Sequence, residues 1–167
     1  MPPAVPYARG VTLAVFDIDG VVADVRHRLH YLEGRYQDWE SFFEGAHADP
    51  VLEQGAALVK RYRDDGHDIA WLTGRPSWLR SVTQNWLVAA GLPTDELLMR
   101  ASGDYRPARF LKVQVLRSLA EREILLFVDD DPDVVATAAA AGFTTLHATW
   151  VPHSKTLRRA QEVNGRT

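Results

Sequence analysis

The sequence predicts an α/β fold built on a parallel sheet, on three observations. Short apolar runs recur at Thr12–Phe16, Ile69–Leu72, Glu96–Met99, Ile124–Val128 and Thr144–Leu146. Helix-period segments separate most of them, and alternation of strand and helix is the signature of parallel pairing with helices on both faces. Conspicuous polar signatures follow three of the runs directly: Asp17-Ile18-Asp19-Gly20, Thr73-Gly74-Arg75 and Asp129-Asp130-Asp131. In an open parallel sheet the carboxyl ends of neighbouring strands meet at one crevice, so residues distant in sequence can share one ligand there.

Taken in order, Thr12–Phe16 reads as the first strand. The stretch Asp24–Asp49 then carries Arg26, His27, Arg28, His30, Tyr31, Arg35, Tyr36, Trp39, Phe42 and Phe43 without a clear strand. It reads as a small helical insertion, too short for a large cap domain, and an open mouth to the crevice is expected. Helices are predicted over Pro50–Asp65, Ser77–Ala90, Pro107–Arg122 and Asp131–Ala141, with Gly66, Gly91 and Gly142 just past three of them as stop signals. Pro76 and Pro132 stand where helix starts tolerate proline. Ser154–Glu162 reads as a short helix, with Val163–Thr167 expected to fray. The domain reading is one unit over residues 11–150, with the insertion at 24–49 and a tail at 151–167.

A chain of 167 residues suits a single domain with a real core. Apolar and charged fractions of 46% and 25% fit a globular protein, and no apolar run approaches bilayer length. The start, Met1-Pro2-Pro3-Ala4-Val5-Pro6, lacks the basic and apolar regions of a signal peptide, and the chain has no cysteine. A cytoplasmic location is the expectation. A net charge of −3 provides no global attraction for nucleic acid, so any such binding must come from a local basic patch. The P-loop pattern GxxxxGK[ST] is missing, which argues against P-loop kinase chemistry in this sequence.

The polar signatures read as a magnesium-dependent phosphoryl-transfer site. Asp17 is placed to attack phosphorus, and Asp19, two residues on, to serve as general acid and base, while Gly20 lets the backbone turn away. A lone Asp-x-Asp-Gly is equally what an ordinary turn looks like. Asp129, Asp130 and Asp131 crowd negative charge that a hard cation such as Mg2+ compensates. Among them Asp131 reads as a helix N-cap and Asp130 as a metal ligand. Thr73 offers a hydroxyl to phosphate, Gly74 a close backbone approach and Arg75 a planar fork. Lys112 supplies positive charge where a transferring phosphoryl group needs it.

Together these residues resemble the haloacid dehalogenase-like (HAD) phosphohydrolase superfamily, over about Leu13 to Leu146. The resemblance implies a three-layer, Rossmann-like parallel sheet with a small helical insertion after the first strand and no large cap domain. It implies Asp17 as nucleophile, Asp19 as acid/base, Thr73 and Lys112 as phosphate-stabilising groups, and magnesium held by Asp17, the Asp19 carbonyl and Asp130, with Asp129 nearby. Val21 departs from the usual threonine, and Val134 from a common second acid.

A narrower resemblance is to the 3′-phosphatase domain of polynucleotide kinase, carried by Asp17 to Ala23, Thr73-Gly74-Arg75, Met99-Arg100, Gly103-Asp104-Tyr105-Arg106, Lys112 and Asp129-Asp130. It implies arginines that hold a phosphorylated nucleic-acid 3′ end, with Arg75 and Arg106 as leading binding residues and Arg100 behind them. The alternatives are a phosphatase of nucleotides or other small phosphate esters, or a phospho-receiver-like binding module. Chain order argues against the last, since a receiver begins with its acidic pair. His27 and His30 receive no metal. Tyr31, Tyr36, Trp39, Phe42 and Phe43 read first as packing of the insertion and second as a base-stacking surface, and Trp71, Trp78, Trp86 and Trp150 as packing.

Overall fold

Residues 11–167 are described by a computed structural model; the Met1–Pro6 segment read above for a leader lies outside the described residues. Five strands, β1 (Leu13–Phe16), β2 (Asp68–Pro76), β3 (Leu97–Arg100), β4 (Ile124–Asp129) and β5 (Thr145–His147), pair in parallel in the order β3-β2-β1-β4-β5. The chain therefore runs outward from β1 to β3 and then restarts on the other side of β1. The resulting switch point lies between the carboxyl ends of β1 and β4, where such sheets open a crevice.

Strand alternation decides what each face buries. Ala14, Phe16, Ile69, Trp71, Leu126 and Val128 point to one side, against Val59 of α2 (Glu53–Asp64) and Trp86 and Leu87 of α3 (Arg80–Ala89). Leu13, Val15, Ala70, Leu72 and Phe127 point to the other, against Leu116 of α4 (Ala108–Ser118) and Val134 and Ala138 of α5 (Pro132–Ala140). Each large side chain so enclosed contributes about 1.5–3 kcal/mol of transfer free energy. Val21 and Val134, the two departures from the superfamily pattern, are fully enclosed in these cores.

Several elements differ in extent from the sequence reading: the helix read as Pro107–Arg122 ends at Ser118, the one read as Ser77–Ala90 opens with a 3₁₀ turn over Ser77–Leu79, and two differences bear on the site. β2 does not stop at Leu72: after an irregularity over Thr73–Arg75, Pro76 pairs again with Arg100. The Thr-Gly-Arg loop is thus a bulge held at both ends, a stiffer support for a site than a free turn. The helix expected from Pro50 begins only at Glu53, because Val51 bridges to Ala23.

The insertion folds as a 3₁₀ segment (Arg26–Leu32), α1 (Trp39–Glu44) and a 3₁₀ turn (Gly45–Ala48), packed through Leu29, Phe42 and Phe43 on Leu79 and Leu157. Asp38 caps α1 by accepting from the Ser41 N–H at 3.0 Å. The tail forms α6 (Lys155–Arg158) and a π turn (Arg159–Val163), and its last residues differ from the expected frayed end. Thr167 is buried and its hydroxyl donates to Asp19 at 3.2 Å. Among the described residues no helix is long and apolar enough to cross a membrane.

Candidate active site

Asp17 follows β1 directly and is fixed by its N–H donating to the Val128 carbonyl on β4 at 2.9 Å. The chain then closes a tight loop in which the Ile18 carbonyl accepts from Val21, Val22 and Ala23. Gly20 has φ of 75°, and a Cβ there would overlap the Asp130 carboxylate, so glycine is required on both counts. This loop brings Asp17 and Asp19 to the crevice from the β1 side, while Asp129 and Asp130 arrive from β4.

Lys112, on the α4 face that packs under the sheet, reaches both sides. Its ammonium donates to Asp129 Oδ2 at 2.6 Å and forms an ion pair with Asp17 Oδ2 at 3.1 Å, outside hydrogen-bonding alignment. Asp17 Oδ1 accepts from the Ile18 N–H at 2.8 Å. Asp129 Oδ1 accepts from the Asp131 N–H at 2.9 Å, and Asp131 caps α5 by accepting from the Asp133 N–H. Three buried carboxylate oxygens accept no hydrogen bond among the described residues on this side of the site: Asp17 Oδ2 and Asp130 Oδ1 beside Lys112, and Asp131 Oδ2 at the start of α5.

One carboxylate oxygen each from Asp17, Asp129 and Asp130 lies within 4.8 Å of the others. Burial, then Asp129, push the Asp17 carboxyl from 3.8 up to about 8 against the pull of Lys112. Burial, then Asp17 and Asp129, hold Asp130 well above the ordinary carboxyl range. Lys112 is raised, because Asp129 and Asp17 outweigh the effect of its burial. Three acids around one lysine, with orphaned oxygens facing inward, fit a small hard cation.

Asp19 has a different environment. Arg75 donates to Asp19 Oδ1 through Nε at 3.0 Å and Nη2 at 2.6 Å, and Arg28 Nη2 approaches the same oxygen at 3.4 Å. Both arginines also hold Asp49, Arg28 through Nε at 2.8 Å and Nη2 at 2.9 Å, Arg75 through Nη2 at 2.9 Å. Arg75 Nη1 donates to Thr83 at 3.3 Å, and His27 Nε2 is 2.7 Å from Asp49. Burial pushes Asp19 up, but Arg75 and Arg28 overcome it and hold the carboxyl below 3.8.

Asp17, Asp19, Lys112, Asp129 and Asp130 therefore meet at one crevice, with Thr73 and Gly74 buried in the bulge of β2 beside them. The arginines divide differently from the sequence ranking. Arg75 has its donors committed to Asp19, Asp49 and Thr83. Arg106 lies on the surface, paired with Asp104 at 2.7 Å and with Gln114. Arg100 is the buried one: it donates to the carbonyls of Gly74 (2.9 Å), Asp104 (3.1 Å) and Arg106 (2.7 Å), and its Nη2 has no partner. Burial lowers it to about 10.

The expected open mouth is also corrected. Gly165–Thr167 closes over the site, and a Cβ at Gly74 would overlap the Thr167 backbone. Arg28 and Asp49 escape a sequence reading, because a charged residue in a polar insertion looks like surface. The one available signal is the cluster of Phe42, Phe43 and Trp39 nearby, since an aromatic lid on an insertion can bury a charge. Arg28 indeed lies 4.3 Å from the Phe42 ring.

A family model described as the polynucleotide kinase PNKP phosphatase domain matches residues 12–149. Among solved structures, one from the Pnkp1/Rnl/Hen1 complex is similar with 20% identity and a TM-score of 0.69, over 88% of this chain and 50% of that one. The class C acid phosphatase from Bacillus anthracis is 19% identical with a TM-score of 0.58, over 79% and 60%. A haloacid dehalogenase-like hydrolase from Streptococcus pneumoniae is 13% identical with a TM-score of 0.60, over 91% of both chains. These likenesses concern the fold, and the chain spans about half the length of the Pnkp1-complex chain it matches. No curated protein sequence matches.

Proposed function

Because the chain belongs to the family of polynucleotide kinase PNKP phosphatase domains, we propose that it is a magnesium-dependent phosphomonoesterase that removes 3′-phosphates from polynucleotide ends through an aspartyl-phosphate on Asp17. The observation that carries the reading is the buried triad of Asp17, Asp129 and Asp130 around Lys112, with two inward-facing oxygens unpaired. Such a cluster is costly to bury unless a cation and a phosphate complete it. Asp17, Asp130 and the Asp19 carbonyl would hold Mg2+, with Asp129 nearby. When bound, the ion supplies positive charge against phosphate oxygens and Asp17.

In the first displacement an Asp17 oxygen bonds to phosphorus as the bond from phosphorus to the 3′-oxygen breaks, and that oxygen takes a proton from Asp19. In the second, Asp19 takes a proton from water, the water oxygen bonds to phosphorus, and the bond to Asp17 breaks. Inorganic phosphate leaves, Asp17 is again a carboxylate and Asp19 again carries the proton. Arg75 and Arg28 stabilise the ionised Asp19 left after the first step, which suits the proton abstraction of the second, and Asp19 takes up a proton before the first step begins. Both arginines donate to Oδ1, so Oδ2, which accepts only from the Thr167 hydroxyl, is the oxygen that would carry the proton of the first step. Lys112 holds Asp17 and Asp129 in place and stabilises charge on the transferring group. Thr73 and the Gly74 backbone face the phosphate, Arg75 positions Asp19, and Arg100 offers a free N–H to substrate.

The close cover of Gly165–Thr167 favours a second reading, a phosphatase of small esters. Phosphate release with magnesium from 3′-phosphorylated DNA and RNA, 5′-phosphorylated controls and mononucleotides separates the two. Faster turnover of the 3′-phosphorylated oligonucleotides is expected; far faster turnover of mononucleotides overturns the polynucleotide reading.

A further inference from the structure

Beside the crevice lies a cavity of about 360 Å³ whose walls include Trp39, Phe43, Trp78, Tyr105, Arg100 and Arg166. The fold does not need all of these rings buried. Trp78 is 61% exposed and Tyr105 58%, although tryptophans read from sequence as packing groups. Trp78 meets Phe43 edge-on, with centroids 5.4 Å apart and planes at 82°, which leaves a Trp78 face open. The Arg166 guanidinium lies 5.1 Å from the Trp39 ring and 5.0 Å from the Tyr105 ring, so the walls already accept one flat group.

Two further observations connect the cavity to a nucleotide. Arg100, which lines it, also donates to the Gly74 carbonyl, so the cavity adjoins the phosphate loop. Arg100 is 2% exposed, has no carboxylate within ion-pair distance among the described residues, and keeps Nη2 unpartnered. A buried cation left in that condition is ready for an anion. The cavity's own acids do not meet the need: Asp104 is bound to Arg106, and Glu40 is exposed.

We infer that this cavity receives the base of the nucleotide that carries the 3′-phosphate, stacked on Trp78 and Tyr105, with Arg100 Nη2 donating to the adjoining phosphodiester. This rests on the polynucleotide reading and adds a base-recognition slot to it. Aromatic faces accept any base, so the slot selects for the presence of a base rather than its identity.

The test compares the full chain on a 3′-phosphorylated oligonucleotide with the same oligonucleotide made abasic at its last nucleotide. The wild type is expected to prefer the base-bearing substrate by about ten-fold in kcat/KM, mainly through KM. Trp78→Ala and Tyr105→Ala, on separate segments, should each bring that ratio toward one, and Trp78→Phe should keep most of it. A ratio already near one, with both oligonucleotides hydrolysed, overturns the slot and leaves the polynucleotide reading standing. A ratio that neither alanine variant moves overturns it too. Hydrolysis of p-nitrophenyl phosphate with no release from either oligonucleotide instead overturns the polynucleotide reading, and the slot falls with it.

Discussion

Two clusters of buried ions stand side by side at the carboxyl end of this sheet and are wired in opposite ways. Around Lys112, three carboxylates (Asp17, Asp129, Asp130) face one ammonium, a formal charge of −2. Around Asp19 and Asp49, two carboxylates face the two guanidiniums of Arg28 and Arg75, a formal charge of zero. The first leaves oxygens unpaired and its Asp17 at about 8; the second holds Asp19 below 3.8. Burial is common to both, so pairing decides the difference. On the proposed function, the under-paired cluster takes up a cation and a phosphoryl group, and the balanced one holds a proton-transfer group still.

Breaking the first cluster should separate activity from stability. Asp17→Asn removes the attacking carboxylate, and phosphate release should fall to background. The same change relieves charge repulsion, so the metal-free variant should melt at a temperature equal to or roughly a few degrees above wild type. A folded Asp17→Asn protein with wild-type turnover would remove Asp17 as nucleophile.

Breaking the second cluster should do the reverse to stability. Asp19→Asn leaves Arg75 and Arg28 sharing Asp49, and loss of one partner from a buried pair costs about 3–5 kcal/mol. For a chain of this size that corresponds to roughly 10 °C in Tm. Turnover should drop by about 10²–10⁴ through lost proton transfer. Thermal melts of the two variants decide the comparison: equal losses of stability would mean that the clusters are not wired differently.

Magnesium and pH sharpen the contrast without mutation. The Asp17 carboxyl titrates at about 8 in the fold and at 3.8 when free. A folded pKa raised in this way gives stability that is complete below about 3.8 and lost as pH rises through about 8. Metal-free protein should therefore lose stability across that window, and the Tm gained on adding Mg2+ should be larger at pH 8 than at pH 5. Asp130→Asn should shrink this gain and raise the magnesium needed for half-maximal activity. A gain that is the same at both pH values would count against cation binding by the Asp17 cluster.

What the sequence made legible follows the same division. The strands announce themselves because Leu13–Phe16 or Ile124–Val128 can be read from local apolarity, and Asp17, Asp19, Asp129 and Asp130 because they follow those strands. Arg28 and Asp49 are invisible locally: Asp49 pairs with Arg28 and with Arg75, which lie 21 and 26 residues from it, and burial of a charge is a tertiary property. Trp78 precedes α3 in a 3₁₀ turn, so the helical period that buries Trp86 does not apply to it. The closure of Thr167 on Gly74 depends on Gly165, whose φ of 60° turns the tail inward against the Tyr105 carbonyl.

The smallest expected effect concerns the arginine block, where composition alone cannot rank Arg100 and Arg106. Arg106 is exposed and holds Asp104, which it lowers to about 2 chiefly through hydrogen bonds, so its own donors already have partners at the surface. Arg100 is buried, contacts the Thr73–Arg75 bulge through the Gly74 carbonyl and keeps one nitrogen free. Arg100→Lys retains the charge but loses the planar fork, and should lower kcat/KM on a 3′-phosphorylated oligonucleotide by about ten-fold, the size of one charged hydrogen bond. Arg106→Ala should stay within about two-fold, as expected of an exposed surface pair. If Arg106→Ala proves the more damaging of the two, the guanidinium must swing from Asp104 to the substrate on binding, and the sequence-based preference for Arg106 would be restored.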